Sequence, residues 1–266
     1  YPPAPRPYVY CQDSNVIGDE FYVMERRCGV VLRDRQPPEP LFSSPQMVRR
    51  LCESVVDNLA VLHSLDYAAA GLGDLGRPRG YVERQIIGWT KRYEKAKTDD
   101  YPDVERLGRW LADNRPADGR AAMIHNDYKY DNLMLASDDM TRIVTVLDWE
   151  MATVGDPLMD LGMTLAYWIQ ADDPETQRQA AFGPTMLPGS MTRKQVVERY
   201  AEQIGVKIPN MLFYFCFGLF KLAVIVQQIY ARFVRGLTND LRFSTMNHRV
   251  AALGKTAVQA IQTGKI

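Results

Sequence analysis

Residues 121–150 read AAMIHNDYKYDNLMLASDDMTRIVTVLDWE, and the order of apolar and polar positions in this stretch decides how the chain folds around its chemistry. Leu133 to Ala136 and Ile143 to Leu147 are apolar runs joined by SDDMTR, a polar link suited to an antiparallel hairpin. With Ala136 opposite Ile143, Asn132 falls opposite Leu147 and stands beside Asp148. Asp127 lies five residues before Asn132, on the loop that enters the same end of the ribbon. The expectation is that three oxygen-bearing side chains, Asp127, Asn132 and Asp148, converge there.

Oxygen donors gathered without His or Cys pairs suit a hard cation such as Mg²⁺, which takes one or two protein carboxylates and fills its octahedron with water and substrate phosphates. A phosphate-bearing co-substrate follows. The four cysteines (Cys11, Cys28, Cys52, Cys216) have neither CxxC spacing nor partner histidines, so neither zinc nor a disulfide framework is expected, and the expected compartment is the reducing cytoplasm.

Working outward, YVYCQ (8–12) and FYVME (21–25) are β-branched and aromatic runs around the turn formers of DSNVIGDE, which predicts a hairpin. After the Pro-rich QPPEP (36–40), Ser44 and Pro45 offer an N-cap and a first helical residue. Val48, Leu51, Cys52, Val55, Leu59 and Leu62 then recur at helical spacing to about His63. Further helices are expected over Tyr81 to Lys97, near Val104 to Asn114, and from Pro157 onward around a loop at 182–190. The apolar stretch Met211 to Val226 carries Gly218 and Lys221 and falls short of the ~20 residues a bilayer demands, so it reads as a core helix and no membrane partner is expected. The chain opens YPPAPRPYVY, without an initiator Met or a basic and apolar leader, and reads as a fragment that starts mid-domain with no signal peptide.

The 266 residues, 46% apolar and 24% charged, fit an ordinary globular protein of one large or two small domains. Lys plus Arg (32) equals Asp plus Glu (32), which gives no global basic excess and no reason to expect a nucleic acid partner. The balance is local in neither direction. Residues 98–175 hold 17 acidic against 6 basic side chains, whereas residues 77–97 hold 7 basic against 2 acidic, so the chemistry is sought in the acidic middle.

HNDYKYDNLML, followed by VLDWEMATVGDPLMDLG, resembles the aminoglycoside phosphotransferase and choline kinase superfamily. His125, Asp127, Lys129 and Asn132 reproduce the HxDxKxxN spacing of a kinase catalytic loop, in which the Asp accepts the substrate hydroxyl proton and the Asn holds metal. Asp148 stands where the DFG signature has its Asp, although Trp149 and Glu150 follow it. FYVMERRCG is similar to the last small-lobe strand and hinge. RPRGYVERQIIGWTKRYEKAK is similar to one branch, the phosphotransferase domains associated with acyl-CoA dehydrogenases.

The resemblance implies an α+β, protein-kinase-like two-lobed fold with an incomplete small β lobe and a large, mainly helical C-lobe containing a catalytic β-hairpin. Residues 1–28 would be the remnant of the nucleotide-binding lobe and hinge, and residues 29–266 the helical lobe. It further implies ATP and Mg²⁺ as cofactors, Asp127 as catalytic base with Lys129 neutralising phosphoryl charge, Asn132 and Asp148 as metal ligands, and adenine contact by the backbone around Met24, Glu25 and Arg27. Trp149, Glu150 and Arg84 would face a small-molecule hydroxyl substrate. A positive rim of Arg77, Arg79, Arg84, Lys91 and Arg92 would repel polycations, which ranks a hydroxyacyl-CoA or similar anionic metabolite ahead of an aminoglycoside-like amino alcohol.

Other readings compete. Neither a Gly-rich phosphate loop nor a VAIK-like lysine is found, so the alternatives are a small lobe truncated in this sequence or a catalytically inactive nucleotide- or ligand-binding domain. A metal-dependent phosphohydrolase could use the same acids. His125 is expected to hold the loop, Asp156 and Asp160 to cap a helix and anchor that loop, and His63 and His248 to serve as scaffold.

Overall fold

The structure, a computed structural model, describes residues 1–33, 44–179, 183–208 and 210–266. The QPPEP stretch at 36–40 lies outside the described residues. Strand β1 (Pro7–Cys11) pairs antiparallel with β2 (Phe21–Met24), where the β-branched and aromatic runs predict a hairpin. After the short β3 (Val30–Val31) comes α1 (Pro45–His63), whose N-cap is Ser44: its hydroxyl accepts from the Met47 N–H at 3.3 Å. The buried stripe of α1 is the one its periodicity requires, with Val48, Leu51, Cys52, Val55, Leu59 and Leu62 all inside. Helix α2 (Tyr81–Ala96) follows. Helix α3 (Pro102–Asp113) begins two residues before the expected Val104, because a proline costs nothing in a first turn whose N–H groups have no helical partner.

Strand β4 (Ala122–Ile124) leads to the hairpin of β5 (Leu133–Leu135) and β6 (Ile143–Val146), and β7 (Thr153–Gly155) follows. Strands β3, β5 and β6 form one sheet in that order, and β4 pairs with β7 in another. At the end that matters the hairpin register is the expected one: Leu133 faces Val146, and the Leu147 N–H donates to the Asn132 carbonyl at 2.8 Å. At the far end the expectation fails, since Leu135, not Ala136, faces Ile143. A bulge between Met134 and Leu135 absorbs one residue and leaves the Asn132 end in step.

The remaining chain is helical: α4 (Pro157–Tyr167), α5 (Glu175–Arg178), α6 (Arg193–Ile204), α7 (Met211–Val234) and α8 (Met246–Thr263). The expected loop at 182–190 is described from Gly183 and holds only turns and bends. Helix α7 runs eight residues past the expected Val226 and buries Phe213, Phe215, Phe217, Leu219 and Phe220 in the core. It crosses α4 backbone to backbone: a Cβ on Gly218 would collide with the Gly162 carbonyl, and one on Gly162 with the Tyr214 carbonyl. That close approach seats α4 beneath the loop before β5.

The architecture is therefore α+β, a mainly helical body carrying the β5–β6 hairpin, with the β1–β2 ribbon ahead of it. Within the 1–28 segment, residues 1–3 lie along β6 and not with the ribbon. The Pro3 carbonyl accepts from the Val146 N–H at 2.8 Å and the Thr145 hydroxyl at 3.0 Å, and the Tyr1 ring meets Trp149 edge-on at 5.6 Å.

Candidate active site

Helix α4 organises the loop at 125–132 through one stripe of side chains. Asp160, Thr164 and Tyr167 are spaced i, i+4 and i+7, so they share a face. Asp160 accepts from the His125 N–H at 2.7 Å and from the Asn126 N–H at 2.8 Å. The Thr164 hydroxyl donates to the Tyr128 carbonyl at 3.0 Å, and the Tyr167 hydroxyl donates to the Asp127 carboxylate at 3.4 Å. Asp156 caps the helix by accepting from the Leu158 N–H at 2.8 Å. The two roles expected of Asp156 and Asp160 are thus divided between them, one capping and one anchoring.

Asp160 is fully buried, and burial alone would raise its pKa. The hydrogen bond from His63, the electrostatic pull of the His63 and His125 rings beside it, and the His125 N–H outweigh burial and hold the carboxyl below the ordinary range. His63 donates from Nε2 to Asp160 at 3.1 Å and accepts at Nδ1 from the Tyr200 hydroxyl at 2.6 Å, a scaffold role.

His125 is buried and engaged at both ring nitrogens. Its Nε2 donates to the Leu147 carbonyl at 2.8 Å, and its Nδ1 accepts from the Asp127 N–H at 3.3 Å. Those two roles are compatible with one neutral tautomer. The ring also lies against Trp149, with centroids 4.9 Å apart.

Asp127 carries the densest set of contacts. Lys129 Nζ donates to its two carboxylate oxygens at 2.9 and 2.7 Å, and Asn132 Nδ2 donates to its carbonyl at 2.9 Å and its carboxylate at 3.0 Å. The Asn132 amide nitrogen being so engaged, its Oδ1 has no hydrogen-bond donor among the described residues. Asp148 follows Leu147, the residue paired with Asn132, and its carboxylate is exposed and makes no ion pair among the described residues. The oxygen atoms left over at Asn132 and Asp148 are donors of the kind a hard cation takes. Asn126 and Asp148 are the two non-glycine residues with positive φ among those described, at 67° and 66°. Asn and Asp are the non-glycine types that accept left-handed backbone most readily, and both instances flank Asp127 and its neighbours.

The other expected residues are arranged as follows. Trp149 donates from its indole N–H to the Val146 carbonyl at 2.8 Å, so its polar atom is engaged within the turn. Glu150 is exposed. The Arg84 guanidinium donates to the Arg77 and Arg79 carbonyls. Met24 ends β2, and Arg27 pairs with Glu25 at 3.0 Å just beyond it.

Among the cavities that adjoin the loop, two are large enough to hold part of a ligand. One, of about 420 Å³, is lined by Asn126, Met151 and Thr153 from the site and by Arg84, Trp89 and Lys221 among others. The second, about 190 Å³, has Lys129 and Tyr167 at the loop and is walled mainly by apolar residues of α7 and α8, including Leu219, Leu222, Ile225 and Leu253. Sequence reasoning missed Asn126, Lys221, Thr164 and Tyr167. The α4 stripe was open to it, since Asp160, Thr164 and Tyr167 already stand at helical spacing.

A helical body with a β-hairpin, an Asp–Lys–Asn loop before the hairpin and an Asp after it is the architecture of protein-kinase-like phosphotransferases. The comparisons agree. Residues 2–189 match the model of the phosphotransferase enzyme family that comprises the aminoglycoside phosphotransferases, and the chain belongs to that family. It is 34% identical over 262 residues to acyl-CoA dehydrogenase family member 11 of Rattus norvegicus, covering 97% of this chain and 33% of that protein. The chain thus spans about a third of the length of that relative. Among solved structures, a Ralstonia eutropha protein provisionally named an aminoglycoside phosphotransferase superposes with a TM-score of 0.85 at 31% identity, over 98% of this chain and 79% of that one. A choline/ethanolamine kinase family protein of Mesorhizobium loti shares the fold, with a TM-score of 0.58 at 14% identity over 96% of this chain and 74% of that one. The superfamily resemblance and its acyl-CoA dehydrogenase-associated branch are both borne out.

Proposed function

We propose that the chain is an ATP-dependent, Mg²⁺-requiring phosphotransferase acting on a hydroxyl of a small molecule. The observation that carries this reading is the fixed Asp127: three side chains, Lys129, Asn132 and Tyr167, hold its carboxylate at the end of a hairpin from which Asp148 projects.

In this reading Asp127 accepts the proton of the acceptor hydroxyl as that oxygen bonds to the γ-phosphorus, and the bond to the β–γ bridging oxygen breaks to release ADP. Lys129, already beside Asp127, offsets negative charge on the transferring group. Asn132 and Asp148 hold Mg²⁺, which supplies charge neutralisation at the phosphates when bound. The backbone at Met24, Glu25 and Arg27 meets the adenine. Catalysis is mostly positioning, and the double anchoring of the loop by α4 and His125 suits that demand.

For the acceptor, a hydroxyacyl-CoA or similar anionic metabolite ranks ahead of an aminoglycoside-like amino alcohol. Its supports are the acyl-CoA dehydrogenase relatives, the cationic cavity beside Asn126, and the apolar cavity beside Lys129 and Tyr167, which suits an aliphatic portion. Arg84, Glu150 and Trp149 belong to the acceptor side of this scheme. A cytoplasmic setting agrees with the four free cysteines, and neither nucleic acid nor membrane is a proposed partner.

The test is Asp127→Asn in the intact protein. Phosphoryl transfer should fall by roughly 10²–10⁴-fold, the usual contribution of a positioned base, while ATP still binds. Transfer at the parental rate would overturn the assignment.

A further inference from the structure

The cavity on the Asn126 side collects positive charge with no carboxylate in its lining. Arg77, Arg84, Arg92 and Lys221 supply that charge. Because the chain has equal numbers of acidic and basic residues, four cations around one cavity are a local arrangement and no echo of the global charge. None of the four makes an ion pair among the described residues. The Arg92 guanidinium lies 4.7 Å from the Trp89 ring centroid, and the Lys221 ammonium lies 5.4 Å from the same centroid. Trp89 thus forms a floor shared by two cations.

Lys221 is the unusual member. It sits on the apolar helix α7, is 2% exposed, and donates to the Asn126 carbonyl at 2.8 Å. Burial lowers its pKa to about 8, against the pull of Asp160 and Asp127 in the other direction. A buried ammonium without a counter-ion is costly, and an anion in the cavity would offset that cost by charge-assisted hydrogen bonds. The three arginines are solvent-facing at the mouth and supply planar donors matched to phosphate oxygens.

We propose that this cavity is a binding site for a phosphate or pyrophosphate group carried by the acceptor, held by Arg77, Arg84, Arg92 and Lys221. Asn126 lines the cavity and Asp127 follows it in the chain, so a group anchored here keeps the rest of its molecule beside the base. The assignment to the acceptor rests on the phosphotransferase reading; the anion site itself does not.

Inorganic pyrophosphate and coenzyme A serve as probes, titrated into the intact protein at fixed ionic strength and followed by tryptophan fluorescence and calorimetry. Both should bind, pyrophosphate should displace coenzyme A, and saturating ATP with Mg²⁺ should displace neither. The double substitution Arg77→Gln, Arg92→Gln, which touches only solvent-facing side chains, should weaken both at least tenfold, and Trp89→Phe should remove the fluorescence change. Equal affinity in the parent and the double variant would overturn the site. Displacement by ATP would assign the anion to the nucleotide pocket, and pyrophosphate binding without coenzyme A binding would make this a site for free anions; either overturns the acceptor assignment. None of these readouts requires turnover, so they stand or fall apart from the Asp127→Asn result.

Discussion

His125 ties Leu147 to Asp127: its Nε2 donates to the Leu147 carbonyl at 2.8 Å while its Nδ1 accepts from the Asp127 N–H at 3.3 Å. The two segments that carry Asp127 and Asp148 are thereby joined through one buried ring. Asp160 fixes that ring's own backbone from below, so the constellation hangs on α4 and not on the loop alone.

Replacing His125 with Phe keeps the ring packing against Trp149 and Tyr128 but removes both nitrogens. The Leu147 carbonyl and Asp127 N–H lose their partner, which should cost about 1–3 kcal/mol of stability. Loss of registry should lower kcat about 100-fold with little change in the KM for ATP. Thermal unfolding and steady-state kinetics check this, and a parental kcat would refute the linkage.

Asp148→Asn suits a test of the metal assignment, because Asn tolerates the left-handed backbone that Asp148 adopts at φ 66°. The Mg²⁺ concentration for half-maximal activity should rise at least tenfold, while stability, Asp148 being exposed, should stay within about 0.5 kcal/mol of the parent. An unchanged Mg²⁺ dependence would remove Asp148 from the metal site.

Asp160 gives a pH dependence with a definite sign. Its folded pKa is depressed below the unfolded value of about 3.9, so its contribution is complete above that pH and is lost as pH falls through the folded pKa. Asp160→Ala leaves the His63 Nε2–H and the His125 and Asn126 N–H groups without an acceptor, at about 1–3 kcal/mol each. Denaturant unfolding at pH 7 should show that deficit, and the gap to the parent should narrow below about pH 4. A gap independent of pH would contradict the depressed pKa.

Lys221 gives a slope of the same sign in an alkaline window. Burial lowers its folded pKa to about 8, below the unfolded value near 10.4, so the folded state binds fewer protons than the unfolded one between those limits. Stability should therefore rise with pH from about 8 to 10, by on the order of 3 kcal/mol relative to Lys221→Met. Parallel stability curves for parent and variant across that range would exclude a buried, titrating Lys221.

Much of the local structure was legible in advance. Ser44 and Pro45 start α1 where the capping pattern requires, and the hairpin register at Asn132 and Leu147 follows from apolar alternation. The bulge at Met134 and Leu135 was not legible, since an extra residue accommodated in one strand leaves no mark in composition. The β4–β7 pair joins segments about thirty residues apart, and β3 joins β5 across about a hundred, separations that short-range pattern cannot register. At the site, Asp127, Lys129 and Asn132 stand on one loop and could be read together. Lys221 could not, because it approaches Asn126 from a helix ninety-five residues away.

By itself the sequence determined the chemistry on offer: the spacing of Asp127, Lys129, Asn132 and Asp148 and the hairpin that must bring its two ends together, both consequences of local periodicity and turn formation. The tertiary structure alone decided how those groups are held and what surrounds them. The crossing of α4 and α7 at Gly162 and Gly218 sets which side chains reach the loop, and burial sets what charge they can carry there. Both depend on packing between segments distant in the chain, where the free energy lies in contacts and desolvation that no window of sequence contains.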